Sequence, residues 1–459
     1  MSNKLWGGRF QKQTDPGMER FSNSLAFDSR LAQADIEAGM AHAGALREAG
    51  LINGRESSTI VSTLKKIGAD LEAGKLKLDA DRYEDIHSLI LAELARRTGE
   101  TGRKLHAGRS RNDLVSLDTR LYLRLRLEEI LGGIKALQTA LVEQGTRHQE
   151  LIFPGLTHTQ HAQLVLFPHH LLAYVEMLAR DRGRLEDALK RLNVLPAGSA
   201  ALAGSSLPLD QRKLARELGF KQISRNSVDA VSDRDFAIEI LAALAIVGMH
   251  LSRLAEELVW WSSSEIAFVQ LDEAFCTGSS FLPQKLNPDG AELIRGKTGR
   301  LYGNLVALLT VMKGLPLSYN RDMQEDKEPL FDSLDAVNDS LILMAGMIRT
   351  LEVDEEAVAR ALEQDHSPAS DLAEHLVTRG VPFHDAHLAV GKLVRWCLKD
   401  KRDFSSLSLE DLRKFRPEFG PNAVRLLQAP GSIRAKRTLG STSPRRVRAE
   451  LERWKKELS

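Results

Sequence analysis

Five long stretches of helical periodicity dominate the sequence and limit what the chain can fold into. In each stretch, apolar residues recur at spacings of three and four, which is the pattern of one face of an α-helix. Helices of this length are typical of long bundles. The predicted stretches run from Asn112 to about Glu150, from about Pro168 to Leu192, from about Asp233 to Ser263, from Pro288 to about Met312, and from about Glu328 to Leu351.

The composition agrees with a helical, water-soluble bundle. Aromatic residues make up only 5% of the chain, which disfavours a sheet-rich fold. The most apolar run, Leu241–Met249, is much shorter than the roughly 20 residues that a membrane span needs. We therefore predict an all-α fold with three domains: residues 1–111, a central bundle of the five long helices at 112–360, and residues 361–459.

Charge and cysteine content bear on the partners and the compartment. Basic and acidic residues nearly balance, at 63 against 62, so bulk charge gives no support for a nucleic-acid or anionic membrane partner. The two cysteines cannot form a disulfide framework or a four-cysteine zinc site. The N-terminus lacks the apolar core of a secretory signal. The sequence also has no H-E-x-x-H, no P-loop and no G-x-G-x-x-G after a strand. Together these features predict a cytoplasmic protein with no metal and no organic cofactor.

The third and fourth long helices are apolar around more of their circumference than one neighbour could cover. This pattern predicts helices that meet across subunits. The segments between the helices are polar and glycine-rich, and such loops commonly carry the chemistry of a helical protein. They are residues 101–112, 153–163, 196–210 and 277–287.

The loop at 277–289 combines several features of a catalytic segment. Asn287 can cap a helix whose first residue is Pro288. Upstream, Gly278 allows a sharp turn after which backbone N–H groups can point at the Ser279 oxygen. Lys285 lies six residues after Ser279, so a folded-over loop brings a cation towards the hydroxyl. On these grounds alone, a plain capped loop is the somewhat better interpretation.

This loop resembles the G-S-S-x-M-P-x-K-x-N signature of the fumarase/aspartase superfamily, with Leu282 in place of the methionine. The resemblance implies a homotetramer whose core contains twenty long helices, five from each subunit. It also implies that each active site is built by segments of three subunits. Ser279, which directly follows the glycine, is then the expected catalytic base rather than Ser280, and Lys285 and Asn287 are expected to stabilise developing negative charge.

Three further segments resemble one branch of that superfamily, the argininosuccinate lyase family. They are H-A-G-R-S-R-N-D at 106–113, Y-N-R-D-M-Q-E-D-K-E at 319–328, and the opening L-W-G-G-R-F at 5–10. The first two imply substrate contacts from neutral and cationic side chains. The implied contacts are Ser110, Arg111, Asn112, Tyr319, Gln324 and Lys327.

Some of these residues have structural alternatives. From spacing alone, Asn112 could be a helix N-cap and Lys327 could be a surface residue among acids. Arg109 could equally be a structural ion-pair partner or a substrate contact, and this choice stays open.

The segment G-L-T-H-T-Q-H-A-Q at 155–163 resembles the superfamily's G-Y-T-H-x-Q-x-A-Q. This match transfers the family's active-site pair onto Thr157 and His158. The family's carboxylate partner for that histidine falls on Glu292, thirteen residues after Ser279. A carboxylate partner fixes the tautomer of an imidazole and raises its basicity.

Shorter matches give the remaining contacts. The run E-D-I-H at 84–87 resembles a family segment and places His87 near the fumarate-forming end of the substrate. Ser24 matches a substrate-contact serine, and Arg234 is a possible carboxylate contact.

The resemblance as a whole implies β-elimination of argininosuccinate to arginine and fumarate. A different lyase of the superfamily, such as adenylosuccinate lyase, is one alternative. A second is a structural protein, since the family includes delta-crystallin. The family's general acid could be His158 with Glu292, or a bound water.

Overall fold

The structure is a computed structural model that describes residues 11–363 and 365–459. The opening segment Leu5–Phe10 lies outside the described residues. In chain order the helices are α1 Pro16–Ser22, α2 Leu25–Asp28, α3 Ala32–Glu48, α4 Gly54–Glu72, α5 Ile86–Thr98, α6 Glu100–Arg103, α7 Arg111–Arg147, α8 Phe167–Leu192, α9 Gln211–Glu217, α10 Ser227–Ser232, α11 Asp235–Trp261, α12 Asp289–Met312, α13 Lys327–Thr350, α14 Glu355–Ala361, α15 Ala369–Thr378, α16 Phe383–Asp400, α17 Leu409–Arg413, α18 Pro421–Leu426, α19 Ala429–Ala435 and α20 Pro444–Leu458.

Strands are short and form two-stranded sheets in the described part of the chain. They are β1 Ile152–Thr157, β2 Gln160–Leu166, β3 Val194–Leu195, β4 Gln222–Ile223, β5 Val269–Gln270, β6 Thr277–Gly278, β7 Leu286–Asn287 and β8 Glu352–Val353. The pairs β1–β2, β5–β8 and β6–β7 are antiparallel, and β3–β4 is parallel. The prediction of an all-α fold with five long helices, now α7, α8, α11, α12 and α13, is confirmed.

Helix starts explain where the predicted boundaries were off. Ser110 caps α7: its N–H donates to the Asp113 carboxylate and its hydroxyl accepts from the Asn112 N–H. Asn112 therefore lies in the first turn, and its interpretation as the N-cap is wrong. Similarly, α12 starts one residue later than predicted, because the Pro288 carbonyl accepts the first helical hydrogen bond, from Glu292.

Backbone contacts divide the chain into two units. Unit 1 comprises Met1–Leu131, Gly183–Ile246 and Gly299–Val337, and unit 2 comprises Gly132–Arg182, Val247–Thr298 and Asn338–Ser459. Within unit 2, buried residues from Leu372 to Leu427 form a hydrophobic cluster of their own. The three-domain division stays a prediction.

Long helices are joined by buried polar contacts in unit 2. The Gln138 amide on α7 donates to the Val175 carbonyl on α8, and the His250 ring on α11 lies 2.7 Å from the Asp181 carboxylate on α8. The Thr298 hydroxyl on α12 donates to a carbonyl of α11. Buried polar groups need such partners, so these contacts fix how the helices align.

Helix α11 is long and apolar enough to cross a membrane by length and composition alone. Core helices of soluble proteins pass the same test, and most of the apolar window is buried inside the protein. Its buried side chains include Ile240, Leu244, Val247, Leu251, Leu254 and Leu258.

Candidate active site

Three separate segments of unit 1 converge on Glu84, just before α5. The Ser24 N–H donates to the Glu84 carbonyl over 3.0 Å. The guanidinium groups of Arg111 and Arg321 bind the two carboxylate oxygens of Glu84 at 3.0 and 2.9 Å. The Gln324 amide lies near the same place, since it donates to the Ser22 carbonyl over 3.3 Å. These contacts join residues 22–24, 84, 111 and 321–324 in one cluster.

A cavity of about 1040 Å³ adjoins this cluster. Its wall includes Ser22, Asn23, Glu84, Ser88, His106, Arg111 and Arg321. Among the predicted contacts, Arg111 lines the cavity directly, and it also binds the Ser88 hydroxyl over 3.0 Å. The site therefore combines cationic and neutral polar groups around a space large enough for a small molecule.

Ser24 is buried and donates its hydroxyl to Asp28 over 2.6 Å. The same carboxylate accepts the Ile86 N–H at the start of α5. Burial raises the pKa of Asp28 to about 6, although these hydrogen bonds and the nearby Lys327 act in the opposite direction. Asp28 therefore ties the Ser24 segment to α5 and titrates close to neutral pH.

His87 is buried in the first turn of α5 and contacts Asp35 of α3. Its Nδ1 lies 2.7 Å from the Asp35 Oδ2, so the ring donates Nδ1–H to the carboxylate. Its Nε2 is buried and has no hydrogen-bond partner among the described residues. The His106 ring is 5.9 Å away, centroid to centroid.

Asp326 binds two buried cations. It accepts from Lys327 Nζ through one oxygen and from Arg234 Nε through the other. All three side chains are almost fully buried. Burial lowers the pKa of Lys327, whereas Asp326 raises it. Lys327 is therefore not a surface residue, and that alternative is wrong.

Neutral polar groups complete this part of unit 1. Asn112 donates its amide to the Ala201 carbonyl over 3.0 Å, which connects α7 to the loop at 196–210. Burial raises the pKa of Tyr319, so its phenol stays protonated, although Arg321 and Arg234 lower the pKa. Ser110 caps α7, as described above. The structure thus brings all eight predicted contacts of unit 1 into one region: Ser24, His87, Ser110, Arg111, Asn112, Tyr319, Gln324 and Lys327.

Arg109 has an unusual environment. All three guanidinium nitrogens are buried without a hydrogen-bond partner among the described residues. Burial lowers the pKa of Arg109, while Asp35, Asp118 and Asp113 raise it. The charge of this arginine is thus balanced by nearby carboxylates. Of the two alternatives for Arg109, the surroundings favour the electrostatic structural role.

In unit 2, Thr157 and His158 lie at the exposed tip of the β1–β2 hairpin. His158 and Thr159 both have positive φ, at 53° and 57°. Two such residues form a tight turn whose twist matches that of the strands. Glycine at 155 is required, because a Cβ there would lie 2.4 Å from the Gln163 carbonyl oxygen.

The predicted catalytic loop is also a hairpin. Strands β6 and β7 pair Gly278 with Leu286, which brings the adjoining residues Ser279 and Lys285 to the same end of the loop. The Ser279 Oγ accepts the N–H groups of Phe281 and Leu282 at 3.2 and 3.0 Å. The expectation that N–H groups following Gly278 point at the Ser279 oxygen is confirmed.

The remaining predicted residues of unit 2 follow this loop. Asn287 ends β7, and Glu292 is exposed in the first turns of α12, where its carboxylate lies 3.9 Å from Arg295. Among the described residues, no hydrogen bond or ion pair joins His158 to Glu292 or to Ser279. One chain therefore presents these groups separately, and their pairing stays a prediction.

Sequence reasoning missed three buried carboxylates, namely Asp28, Asp35 and Asp326. Each one holds a predicted contact residue in place. Asp35 offers a usable signal, since it is a charged residue between two apolar ones, Ala34 and Ile36. Within residues 11–363 and 365–459, no group of three or more histidine, cysteine, aspartate or glutamate residues could hold a metal ion.

Comparison with known proteins bears on the family and the fold. The family described as Lyase matches residues 8–303, and the family described as Argininosuccinate lyase C-terminal matches residues 366–434. The structure is similar to that of EDDS lyase in complex with formate, with a TM-score of 0.84 and 27% identity, covering 98% of this chain and 91% of that one. The 3-carboxy-cis,cis-muconate lactonizing enzyme of Pseudomonas putida shares the fold, with a TM-score of 0.73 over 96% of this chain and 98% of that one, at 22% identity. Fold and site thus define a lyase of the fumarase/aspartase superfamily.

Curated relatives identify the branch. The chain is 50% identical to the argininosuccinate lyase of Trichlorobacter lovleyi over 451 residues, which is 98% of both chains. It is 49% identical to that of Pelobacter propionicus over 454 residues, or 99% of both chains. The chain belongs to the argininosuccinate lyase family.

Proposed function

We propose that this protein cleaves argininosuccinate reversibly into arginine and fumarate, the last step of arginine biosynthesis, without a metal or organic cofactor. A base removes a proton from the carbon next to a succinyl carboxylate. The resulting carbanion expels the guanidino nitrogen, which takes up a proton, and the carbon–carbon double bond of fumarate forms. Family membership and the geometry around Ser279 support this reaction.

The observation that carries the mechanism is the pair of N–H donors on the Ser279 Oγ. A serine hydroxyl is too weak an acid to act as a base in water. Two fixed N–H groups stabilise its alkoxide, because they need not reorganise when the charge develops. Lys285, which the β6–β7 pairing brings to the same end of the loop, adds positive charge. Ser279 is therefore the proposed base.

The developing carbanion needs further stabilisation. Its charge spreads into the neighbouring carboxylate, where it becomes a dianion that requires cationic and N–H donors. Lys285 and Asn287 are the proposed donors on the loop. Loop closure over the substrate would exclude water while the proton is transferred.

Proton delivery to the leaving nitrogen is assigned to His158 with Glu292, directly or through a bound water. The exposed hairpin tip supports this role, since it presents His158 and Thr157 to another surface. Thr157 is the proposed hydrogen-bond partner of the substrate there.

Substrate binding is assigned to the cluster in unit 1. Argininosuccinate carries three carboxylates and a guanidinium-type group, and it needs both donors and acceptors. The cluster of Arg234, Asp326 and Lys327 has two cations and one anion, which leaves one positive charge for a carboxylate. Arg111 supplies a second cation. Neutral contacts come from Ser24, Ser110, Asn112, Tyr319 and Gln324, and His87 faces the fumarate-forming end.

Assembly into a homotetramer, with each site shared between three subunits, is part of the proposal. Helix α12 exposes an apolar face of Tyr302, Val306 and Leu309. Water-exposed apolar faces on long helices favour packing against another subunit. A cytoplasmic location is proposed for the assembled enzyme.

A direct ultraviolet assay of fumarate release tests the activity. Argininosuccinate should be cleaved, whereas adenylosuccinate should not. Adenylosuccinate carries a nucleotide phosphate, and none of the proposed contact residues is assigned to a phosphate. Cleavage of adenylosuccinate alone would refute the proposal in favour of the sister enzyme. Absence of turnover with either substrate would favour a structural, crystallin-like role.

Side-by-side serine variants test the assignment of the base. Ser279→Ala should lower kcat by about 100-fold or more while substrate binding changes little. Ser280→Ala is the matched control and should have a milder effect. If Ser280→Ala were the inactive variant instead, the assignment would be reversed.

Shared sites can be tested by mixing two inactive variants, His158→Asn and Ser279→Ala. Hybrid tetramers should recover part of the activity, because some sites then draw every residue from an intact segment. A fully active monomer in sedimentation at assay concentration would contradict the shared site.

A further inference from the structure

His87 contacts a carboxylate on one side and is unpartnered on the other. Its Nδ1 lies 2.7 Å from Asp35, and both side chains are at most 4% exposed. Because the two ring nitrogens point away from each other, Nε2 faces away from α3. It is buried and unpartnered. The neighbouring His106, whose ring centroid is 5.9 Å from that of His87, lines the cavity.

A second buried carboxyl group, Asp118 of α7, adjoins Asp35. Burial raises the pKa of Asp118 well above its usual value, and the charge of Asp35 raises it further. Burial would also raise the pKa of Asp35, but His87 and Arg109 hold it below its usual range. Two carboxylates in contact cannot both ionise at low cost. Of the two, Asp35 therefore ionises first, and Asp118 keeps its proton to higher pH.

The charged and titratable groups around His87 fit this assignment. They are Asp35 and His42 on α3, His106 on the preceding turn, and Arg109, Arg111, Asp113 and Asp118 at the start of α7. Burial lowers the pKa of His106 to about 4 and that of His42 to about 3, so both rings are neutral. His87 is the histidine of this group that contacts an ionised carboxylate.

We propose that Asp35 is a positioning residue for substrate binding: it orients His87 with Nδ1–H towards itself and favours the imidazolium form, whose Nε2–H then binds a carboxylate at the fumarate-forming end of the substrate. Arg109 keeps Asp35 ionised, which gives this arginine a function. The inference rests on the proposed function of the site and adds a residue that acts through His87.

This arrangement links binding to protonation. A ring that donates to Asp35 through Nδ1 can donate to a substrate carboxylate through Nε2 only when it carries both protons. Substrate binding therefore requires a proton on the ring, and affinity should fall as the pH rises and that proton is lost. The negative charge of Asp35 delays this loss, so removing the charge should move the fall to lower pH.

The test compares two neighbouring aspartates in the full-length protein. Asp35→Asn should lower kcat/KM by about 10- to 100-fold near neutral pH, mainly through KM, and should shift the alkaline fall of kcat/KM to lower pH. Asp118→Asn, which resembles the protonated carboxyl group, should stay within about threefold of the unaltered protein. Equal damage from both variants, or an unshifted profile in Asp35→Asn, would overturn the proposal.

A second variant keeps the test decisive if Asp35→Asn does not fold. In His87→Asn the amide can still donate to Asp35 from the place of Nδ1, but the Nε2 donor is lost. We expect a folded protein by circular dichroism with the same loss of kcat/KM, and no further loss when Asp35→Asn is added. Wild-type kinetics in His87→Asn would overturn the proposal.

Failure of the proposed function is distinguishable from failure of this inference. If the unaltered protein does not cleave argininosuccinate, the function is wrong, and the inference is then tested with fumarate as the probe. Calorimetry of fumarate binding in two buffers of different ionisation heat should show proton uptake, and Asp35→Asn should reduce it. Binding without proton uptake in the unaltered protein would contradict the role assigned to Asp35.

Discussion

Replacing Asp28 by asparagine is expected to stabilise the protein above about pH 6. Asp28 is 6% exposed, and burial raises its pKa from 3.8 to about 6. A raised pKa means that the folded protein holds this proton more tightly than the unfolded chain. Stability is therefore highest while the group is protonated and decreases as the pH rises from the unfolded value towards the folded one.

The size of the effect follows from the shift. Two pKa units correspond to about 3 kcal/mol of unfolding free energy lost well above pH 6. Between about pH 5 and about pH 8, roughly 1.3 kcal/mol of this loss develops. Asparagine removes the charge but can accept only one of the hydrogen bonds from Ser24 and Ile86, which costs about 1 kcal/mol at all pH values. The net gain near pH 8 is then about 2 kcal/mol.

Urea unfolding at several pH values measures this difference. Both proteins are compared at one protein concentration, because assembly makes apparent stability depend on concentration. The advantage of Asp28→Asn should shrink by roughly 1.3 kcal/mol when the pH is lowered from about 8 to about 5. If the difference were the same at both pH values, the raised pKa of Asp28 would be refuted.

Glu93→Gln is a control with the opposite behaviour. Hydrogen bonding to Arg96 lowers the pKa of Glu93 to about 2, against the effect of burial, and Arg97 lowers it further. Its stabilising contribution is present above the unfolded value of 4.5 and is lost as the pH falls through about 2. Glu93→Gln should therefore destabilise the protein by a constant amount across the range in which Asp28→Asn varies.

Three further changes have defined outcomes. Gly155→Ala should distort the β1–β2 hairpin, because its Cβ would lie 2.4 Å from the Gln163 carbonyl oxygen, and both the thermal unfolding temperature and kcat should fall. Thr159→Asn should raise the free energy of unfolding, measured in urea, by up to about 1 kcal/mol, since asparagine tolerates positive φ better than a β-branched residue does. A lowered free energy of unfolding would contradict this. Lys327→Met should raise KM for argininosuccinate more than it lowers kcat, because it removes a buried cation assigned to carboxylate binding, and an unchanged KM in the fumarate assay would exclude that role.

The sequence was most informative where structure depends on neighbours along the chain. Helix α7 could be predicted because its apolar side chains recur with the period of the helix itself. The contact between the Ser279 oxygen and the following N–H groups could also be predicted, since it needs only a short turn after Gly278. Such features require no knowledge of which distant segments meet.

The sequence by itself determined the five long helices and the turn after Gly278, and it predicts the residue types of the site. Only the tertiary structure decided which carboxylate holds each contact residue: Asp35 lies 52 positions before His87, and Asp326 lies 92 positions after Arg234. Partners this far apart are chosen by how the helices pack, because a buried charge is stable only beside the groups that packing brings to it. Periodicity therefore specifies each helix and its apolar face, whereas the shifted pKa values of Asp28 and Lys327 exist only in the folded chain.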